Sequence, residues 1–305
     1  MDCVKEINDL KKKKNAVILA HYYQTPEIQE VADYLGDSLD LARKAQKTTA
    51  SIIVFAGVHF MAEGAKILNP EKKVLIPDLR AGCSLADSCP PSSFSRWKSK
   101  FKNPYVISYI NCSAEIKAMS DLICTSTNAI EMIQKAPKDR PLLFAPDQNL
   151  GNWLQKQTGI AMEIWPGACI VHETFSEKKI LNLQVQYPDA EIIAHPECEL
   201  TLLEKSHFVG STSALLRYIT ESKSQTFIVA TEEGILHQMK KKEPEKTFIP
   251  APPTSSCECN QCPYMKLNTL EKIKAALENE SPEIPKRSLH LEAKKPLKQM
   301  LEWSS

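Results

Sequence analysis

The segment Val17-Ile18-Leu19-Ala20-His21 runs apolar up to a histidine. It leads into Pro26-Glu27-Ile28 and then Asp33-Tyr34-Leu35-Gly36-Asp37-Ser38. A short apolar run closed by a polar residue and followed by a helical pattern reads as a buried parallel strand entering a helix. The layout recurs twice. Val106-Ile107-Ser108-Tyr109 precedes Ala114-Glu115-Ile116 and Asp121-Leu122-Ile123-Cys124-Thr125-Ser126, and Ile192-Ile193-Ala194-His195 precedes Glu199-Leu200-Thr201 and a run from Ser206 to Thr212. From His21 to Ser38, Tyr109 to Ser126 and His195 to Thr212 the interval is 17 residues each time, and the repeats begin 88 and 86 residues apart.

Outward from these starts, each repeat continues alike. A helix such as 39–46 leads to a further apolar strand at 52–56, 142–145 or 227–230, then a second helix and a last strand at 74–77, 161–166 or 247–250. Strands alternating with helices of this length imply parallel βαβ units. The expected fold is therefore α/β: three similar αβα domains with parallel sheets, set around a pseudo-threefold axis and a central cavity. The expected boundaries are 1–86, 87–172 and 173–262, with a C-terminal helical tail over 263–305 packing on the body.

Ligands of open parallel sheets bind beyond the carboxyl ends of the strands. His21, Tyr109 and His195 stand at such ends. Ser38, Ser126 and Thr212 stand where a second strand meets its helix, near N–H groups that favour anions. These six residues can face one cavity suited to a small, multiply anionic substrate.

Net charge is +1, from 38 basic and 37 acidic residues, and the basic run 11–14 suits the end of the first helix. No nucleic-acid partner is expected from so balanced a chain. No apolar run reaches the ~18 residues of a membrane span and none resembles a signal peptide, so no membrane partner and a cytoplasmic location are expected. Ten cysteines in such a compartment point to metal binding, redox chemistry or burial rather than disulfides.

Cys83 and Cys169 each follow the last strand of a repeat, and the third repeat ends in Cys257-Glu258-Cys259-Asn260-Gln261-Cys262. One thiol per repeat makes a trigonal soft-donor set, suited to zinc or to an iron–sulfur centre with one iron left open. Cys257, Cys259 and Cys262 could instead hold zinc locally, although a structural zinc site normally takes four ligands. Counting from the strands favours Cys257: Ala56 to Cys83 and Ala230 to Cys257 both span 27 residues. Cys3, Cys112, Cys124 and Cys198 read as packing residues. His59, His207 and His237 carry no assigned role, and His172 lies near enough in sequence to touch Cys169.

The chain resembles the quinolinate synthase family. The resemblance runs from Ala16 to about Leu277 and is carried by Leu19-Ala20-His21-Tyr22-Tyr23-Gln24, Gly36-Asp37-Ser38, Phe55-Ala56-Gly57-Val58-His59-Phe60-Met61-Ala62-Glu63, Ala81-Gly82-Cys83, Tyr109-Ile110-Asn111, His195-Pro196-Glu197-Cys198 and Cys262-Pro263-Tyr264-Met265-Lys266. It implies a transferase- or lyase-type enzyme of NAD biosynthesis that condenses iminosuccinate with dihydroxyacetone phosphate. It also implies a functional link to an enzyme that makes iminosuccinate. The implied cofactor is an oxygen-sensitive 4Fe–4S cluster on Cys83, Cys169 and Cys262, the last because the family ligand stands just before an x-x-Met-Lys run. Substrate binding is carried onto His21, Ser38, Tyr109, Ile110, Asn111, Ser126, His195, Pro196, Glu197 and Thr212. Glu197 is expected as the general base, its pKa raised by enclosure. His21 and His195 are expected to shuttle protons near neutral pH, and Tyr23 to act as acid or base.

Overall fold

A computed structural model describes residues 3–254 and 260–304. Among these residues, twelve strands form three four-stranded sheets, all parallel. The first sheet holds β1 (Ala16–His21), β2 (Tyr34–Gly36), β3 (Ile52–Ala56) and β4 (Lys73–Leu75). The second holds β5 (Tyr105–Tyr109), β6 (Leu122–Cys124), β7 (Leu142–Ala145) and β8 (Glu163–Ile164). The third holds β9 (Glu191–Ala194), β10 (Phe208–Val209), β11 (Thr226–Ala230) and β12 (Thr247–Pro250). Each sheet has the same order, second strand, first, third, fourth. The inner strands are mostly apolar because helices cover both faces, and every residue of β3, β5 and β7 is buried.

In this order the chain reverses direction across the sheet between the first and third strands. That is the switch point at which α/β sheets open a crevice for ligands. The register aligns the three crevices: Ala20 pairs with Ala56, Ser108 with Ala145 and Ala194 with Ala230. His21 and Tyr109 are the last residues of their strands, and His195 follows β9 directly, its amide bonded to the Ala230 carbonyl.

Two of the expected last strands are shorter than their apolar runs. The run 74–77 yields a strand only to Leu75, and 161–166 only Glu163–Ile164. Pro77 and Pro166 have no amide hydrogen to give a ladder, so pairing ends before them.

The C-terminal segment is built onto the first two sheets. Helix Leu270–Asn279 packs on the first helix, Cys3–Lys13, and on β3. Beyond it the chain makes an antiparallel bridge to β4, with the Ile284 amide on the Val74 carbonyl at 2.8 Å and the Ile76 amide on the Pro282 carbonyl at 3.2 Å, covering that edge. Helix His290–Trp303 then buries Ala293, Leu297 and Met300 against helices Ala114–Ala118 and His59–Leu68 and strand β6, tying the first unit to the second. Basic residues 11–13 close the first helix, Lys11 pairing with Asp33 at 2.9 Å.

Candidate active site

One chamber opens onto all three sheets, enclosing about 680 Å³ of space, part of it open to solvent. Its walls hold His21, Tyr23, Ser38, Tyr109, Asn111, Ser126, His195, Glu197 and Thr212 together with Cys83, Cys169 and Cys262. Ile110 and Pro196 are not among them. Pro196 sits in the tight turn that the Cys198 amide closes on the His195 carbonyl at 3.0 Å, and Ile110 in a bend where the Cys112 amide bonds its carbonyl at 2.8 Å. The side chain of Ile110 lines a separate apolar space beside Phe60 and Leu297.

The loops after β1 and β9 share one device. His21 Nδ1 accepts the Tyr23 amide at 3.2 Å, and His195 Nδ1 accepts the Glu197 amide at 3.4 Å. A neutral ring that accepts through Nδ1 carries its proton on Nε2. Burial, the largest effect on either ring, lowers the His21 pKa to about 4 and that of His195 to about 3, outweighing the pull of Glu197 and Asp37. Both are therefore neutral donors at pH 7, and the expected shuttling near neutrality is not what this geometry supports. His195 Nε2 lies 3.3 Å from Ser126 Oγ, joining the third unit to the second.

Glu197 is 3% exposed and departs from expectation in the same way. Burial pushes its pKa up, but the His172 and His195 rings and the Tyr109 hydroxyl together outweigh burial and bring it below the ordinary carboxylate value. Tyr109 donates to Oε1 at 2.6 Å, and His172 Nδ1 lies 3.0 Å from Oε2. Glu197 is thus an ionised acceptor. Behind it, burial and the charge of Glu197 push Asp147 well above its usual range.

His172 is the functional side chain that the sequence reading undervalued. Besides Glu197, its Nδ1 lies 3.2 Å from Cys169 Sγ, and its Nε2 lies 3.0 Å from Thr231 Oγ1. Ligand atoms of Cys169, His172 and Glu197 all fall within 4.8 Å of one another, a candidate metal-binding set.

The three thiols come from different places. Cys83 precedes the short helix Ser84–Asp87, Cys169 follows β8, and Cys262 lies in the segment leading into the C-terminal tail. Glu232 holds the last in place: its carboxylate accepts the Cys262 amide at 3.0 Å and the Gly234 amide at 2.7 Å, and pairs with Lys266 at 2.9 Å. Burial pushes the Cys83 thiol up to about 12, and negative charge on Cys262 adds to that shift; Cys169 is pushed up by burial, then by Glu197 and Cys83. Charge on Cys262 thus opposes ionisation of Cys83, and charge on Cys83 opposes that of Cys169. Cys257 and Cys259 lie outside the described residues.

Helix Ser38–Lys47 and helix Thr212–Glu221 begin at the chamber wall. Asp37 caps the first, accepting the Leu39 and Asp40 amides, and Ser211 caps the second, accepting the Ala214 amide. The Thr127 hydroxyl lies 2.8 Å from Asp37 Oδ2 and 2.9 Å from Ser211 Oγ, linking both caps to the second unit.

Three α/β units that bring soft donors, buried acid–base groups and two helix starts to one chamber define the class as an α/β protein with a candidate metal-binding active site. Comparison with known proteins gives the family. A family model described as Quinolinate synthetase A protein matches residues 5–302. The chain is 62% identical to the quinolinate synthase of Cyanophora paradoxa over 304 residues, 99% of this chain and 92% of that protein. It is 60% identical to that of Trichormus variabilis over 306 residues, 100% and 94% respectively, and 59% identical to that of a Cyanothece species over 299 residues, 98% and 93%. The chain belongs to the quinolinate synthetase A family. No helix among the described residues is long and apolar enough to cross a membrane.

Proposed function

We propose that the chamber makes quinolinate for NAD biosynthesis, condensing iminosuccinate with dihydroxyacetone phosphate with loss of phosphate and two waters. The observation that carries this reading is the meeting, in a chain matching the family along its length, of three thiols and an ionised carboxylate on one cavity wall. The three repeats, bounded near residues 86, 172 and 262, each bring one thiol. An iminosuccinate-producing enzyme is its functional partner, and the reaction belongs in the cytoplasm.

Cys83, Cys169 and Cys262 would hold a 4Fe–4S cluster. The donor chemistry fits: all three are soft, all face the chamber, and burial raises all three, so bonding to a cation is what keeps them as thiolates. When bound, such a cluster has one iron without a protein ligand and supplies Lewis acidity for the dehydrations. The remaining work falls to the chain itself. The starts of helices Ser38–Lys47 and Thr212–Glu221, with the Ser38, Ser126 and Thr212 hydroxyls, bind carboxylate and phosphate. His21 and His195 present Nε2–H donors to carbonyl oxygen, and Asn111 adds an amide whose Oδ1 has no protein partner. Glu197, ionised and fixed by Tyr109, takes the proton from carbon in the ketone–enediol step. Tyr23, whose pKa burial and Glu197 hold well above the usual phenol value, keeps a proton for a late dehydration.

Anaerobic purification with iron and sulfide counts, then a quinolinate assay with dihydroxyacetone phosphate and freshly generated iminosuccinate, tests the reading. Replacing Cys83 or Cys169 by Ala should remove the broad brown absorbance and the activity together. Full activity in a colourless variant would refute the three-thiol assignment.

A further inference from the structure

The run Val58-His59-Phe60-Met61-Ala62-Glu63 ends on a carboxylate that is 3% exposed and does not line the chamber. Glu63 lies in helix His59–Leu68 of the first unit, yet its Oε2 accepts the Ala114 amide of the second unit at 2.8 Å. Ala114 is the first residue of helix Ala114–Ala118, three positions beyond Asn111. An amide at that place has no partner inside its own helix. From the C-terminal segment, Arg287 Nη1 and His290 Nε2 lie 3.6 and 3.9 Å from Glu63 Oε1, and Arg287 also pairs with Glu115.

The three units hold this loop differently. After β1 and β9 a histidine ring fixes the amide two residues on. After β5 that place is taken by Tyr109, which has no ring nitrogen and whose hydroxyl is committed to Glu197. The Asn111 loop lacks that internal brace and is held from outside instead. The Cys112 amide donates to the Ile110 carbonyl at 2.8 Å, the buried Lys117 ammonium donates to the Cys112 carbonyl, and Glu63 takes the Ala114 amide. A similar contact recurs one unit on. Asn149, in helix Gln148–Thr158, donates to the Glu197 carbonyl at 3.2 Å. In both cases the helix after a third strand reaches the first loop of the next unit.

We infer that Glu63 is a positioning residue: from the first unit it fixes the loop that presents Asn111 to the substrate, with Arg287 of the C-terminal segment as its counter-charge. The effect on turnover rests on the quinolinate synthase reading of the chamber, though the fixing of the loop does not. A glutamine in its place keeps a carbonyl oxygen for the Ala114 hydrogen, and a leucine has none. Without the acceptor the Ala114 amide is buried unpaired, and Asn111, whose Oδ1 has no protein partner, loses its aim. Glu63 does not line the chamber and Asn111 does, so the cost to turnover should vanish once the Asn111 amide is removed.

The test uses the full chain. In amide hydrogen exchange of iron-free, 15N-labelled protein, followed by NMR, the Ala114 amide should be protected in the parent. Glu63→Leu should speed exchange at Ala114 and Cys112 about tenfold, and Glu63→Gln should keep rates near the parent's. In the reconstituted enzyme Glu63→Leu should lower kcat/KM about tenfold and Glu63→Gln less than about threefold. Added to Asn111→Ala, Glu63→Leu should cost less than about twofold more. An unprotected Ala114 amide in the parent overturns the inference, as does parent-like Cys112 exchange or kcat/KM in Glu63→Leu. So does a Gln variant as impaired as the Leu one, or an undiminished loss in the Asn111→Ala background. Should Glu63→Leu fail to fold, Ala114→Pro removes the same hydrogen bond from the other end; Pro26 already stands at the corresponding first helical position of the first unit. Parent-like kcat/KM in Ala114→Pro would be equally fatal. Absence of quinolinate from the parent enzyme would strike the functional reading alone, and the exchange rates would still decide.

Discussion

The loops after β1 and β9 are two versions of one structure. Each places a histidine at the strand end and turns its Nδ1 onto the amide two residues on. At that second position the first loop carries Tyr23 and the other Glu197, both facing the same chamber. Their environments drive them in opposite protonation directions. Tyr23 is half-buried beside the charge of Glu197 and stays protonated. Glu197 is more deeply buried but surrounded by His172, His195 and Tyr109, and stays ionised. Such a split keeps one group protonated and the other ionised at neutral pH, the starting states that the proposed acid and base require. Internal repetition supplies equivalent positions, and one substitution at each makes them chemically distinct. The second loop offers Asn111 there, a neutral amide.

The comparison breaks hardest at Glu197. Glu197→Gln preserves shape but removes the basic carboxylate, so kcat should fall by about 10² to 10⁴ while the brown absorbance remains. Turnover within tenfold of the parent would refute its role as base. Tyr23→Phe removes the matching proton at the other loop. A loss of about 10² in kcat with unchanged absorbance is expected, measured by quinolinate formation under anaerobic single-turnover conditions. An unaffected Tyr23→Phe would leave the chamber with a base and no partner acid among these loops.

The frame of this chamber was legible in the sequence because buried parallel strands write themselves as apolar runs, and a polar residue at the end of such a run stands out. Equal spacing then aligned His21, Tyr109 and His195 without any coordinates. What spacing cannot convey is contact between units. Glu197 was expected to have a raised pKa because enclosure was the only influence visible; the opposing groups are Tyr109, from the second sheet, and His172, from the loop before the third. Thr231 reads as an ordinary residue after a strand until Tyr23, more than two hundred positions earlier, is found against it. The preference between Cys257 and Cys262 was open for a similar reason. Cys262 is directed to the chamber by Glu232, Lys266 and the passage of the tail across the first unit, where the Asn268 amide donates to the Gly57 carbonyl at 2.8 Å.

Acid acts on both loops by a different route. His21 has a folded pKa of about 4 against 6.5 for the free side chain, so below pH 6.5 the unfolded chain binds a proton that the folded chain refuses. The stability this ring contributes is present above pH 6.5 and is lost as pH falls toward 4, by about 3 kcal/mol at most. Glu197 also has a lowered pKa, and its contribution should be lost only below its ordinary value of 4.5. Chemical denaturation of the iron-free chain at a series of pH values should therefore show two regions of loss. His195, lowered further to about 3, loses stability over the same upper region, so His21→Gln should lessen the slope between pH 6.5 and 4 without abolishing it and leave the lower region. A slope unchanged in that variant would show that His21 is not held neutral by burial.

The smallest difference between the loops lies one turn further, at the helix caps. Asp37 and Ser211 occupy equivalent positions and accept helix amides, but Asp37 brings a full negative charge to the chamber wall and Ser211 none. A helix start is worth roughly 0.3–1 kcal/mol to a nearby anion, and a carboxylate at the cap cancels part of that. The third unit should accordingly bind the more strongly charged end of the substrate. Asp37→Asn keeps a capping oxygen while removing the charge, so inorganic phosphate should bind about two- to fivefold more tightly at low salt, and the gain should fade at high salt. Ser211→Asp should weaken phosphate binding by a similar factor. Equal responses of the same sign in both variants would show that the two helix starts do not differ in their work, and that the asymmetry of the chamber ends at Tyr23 and Glu197.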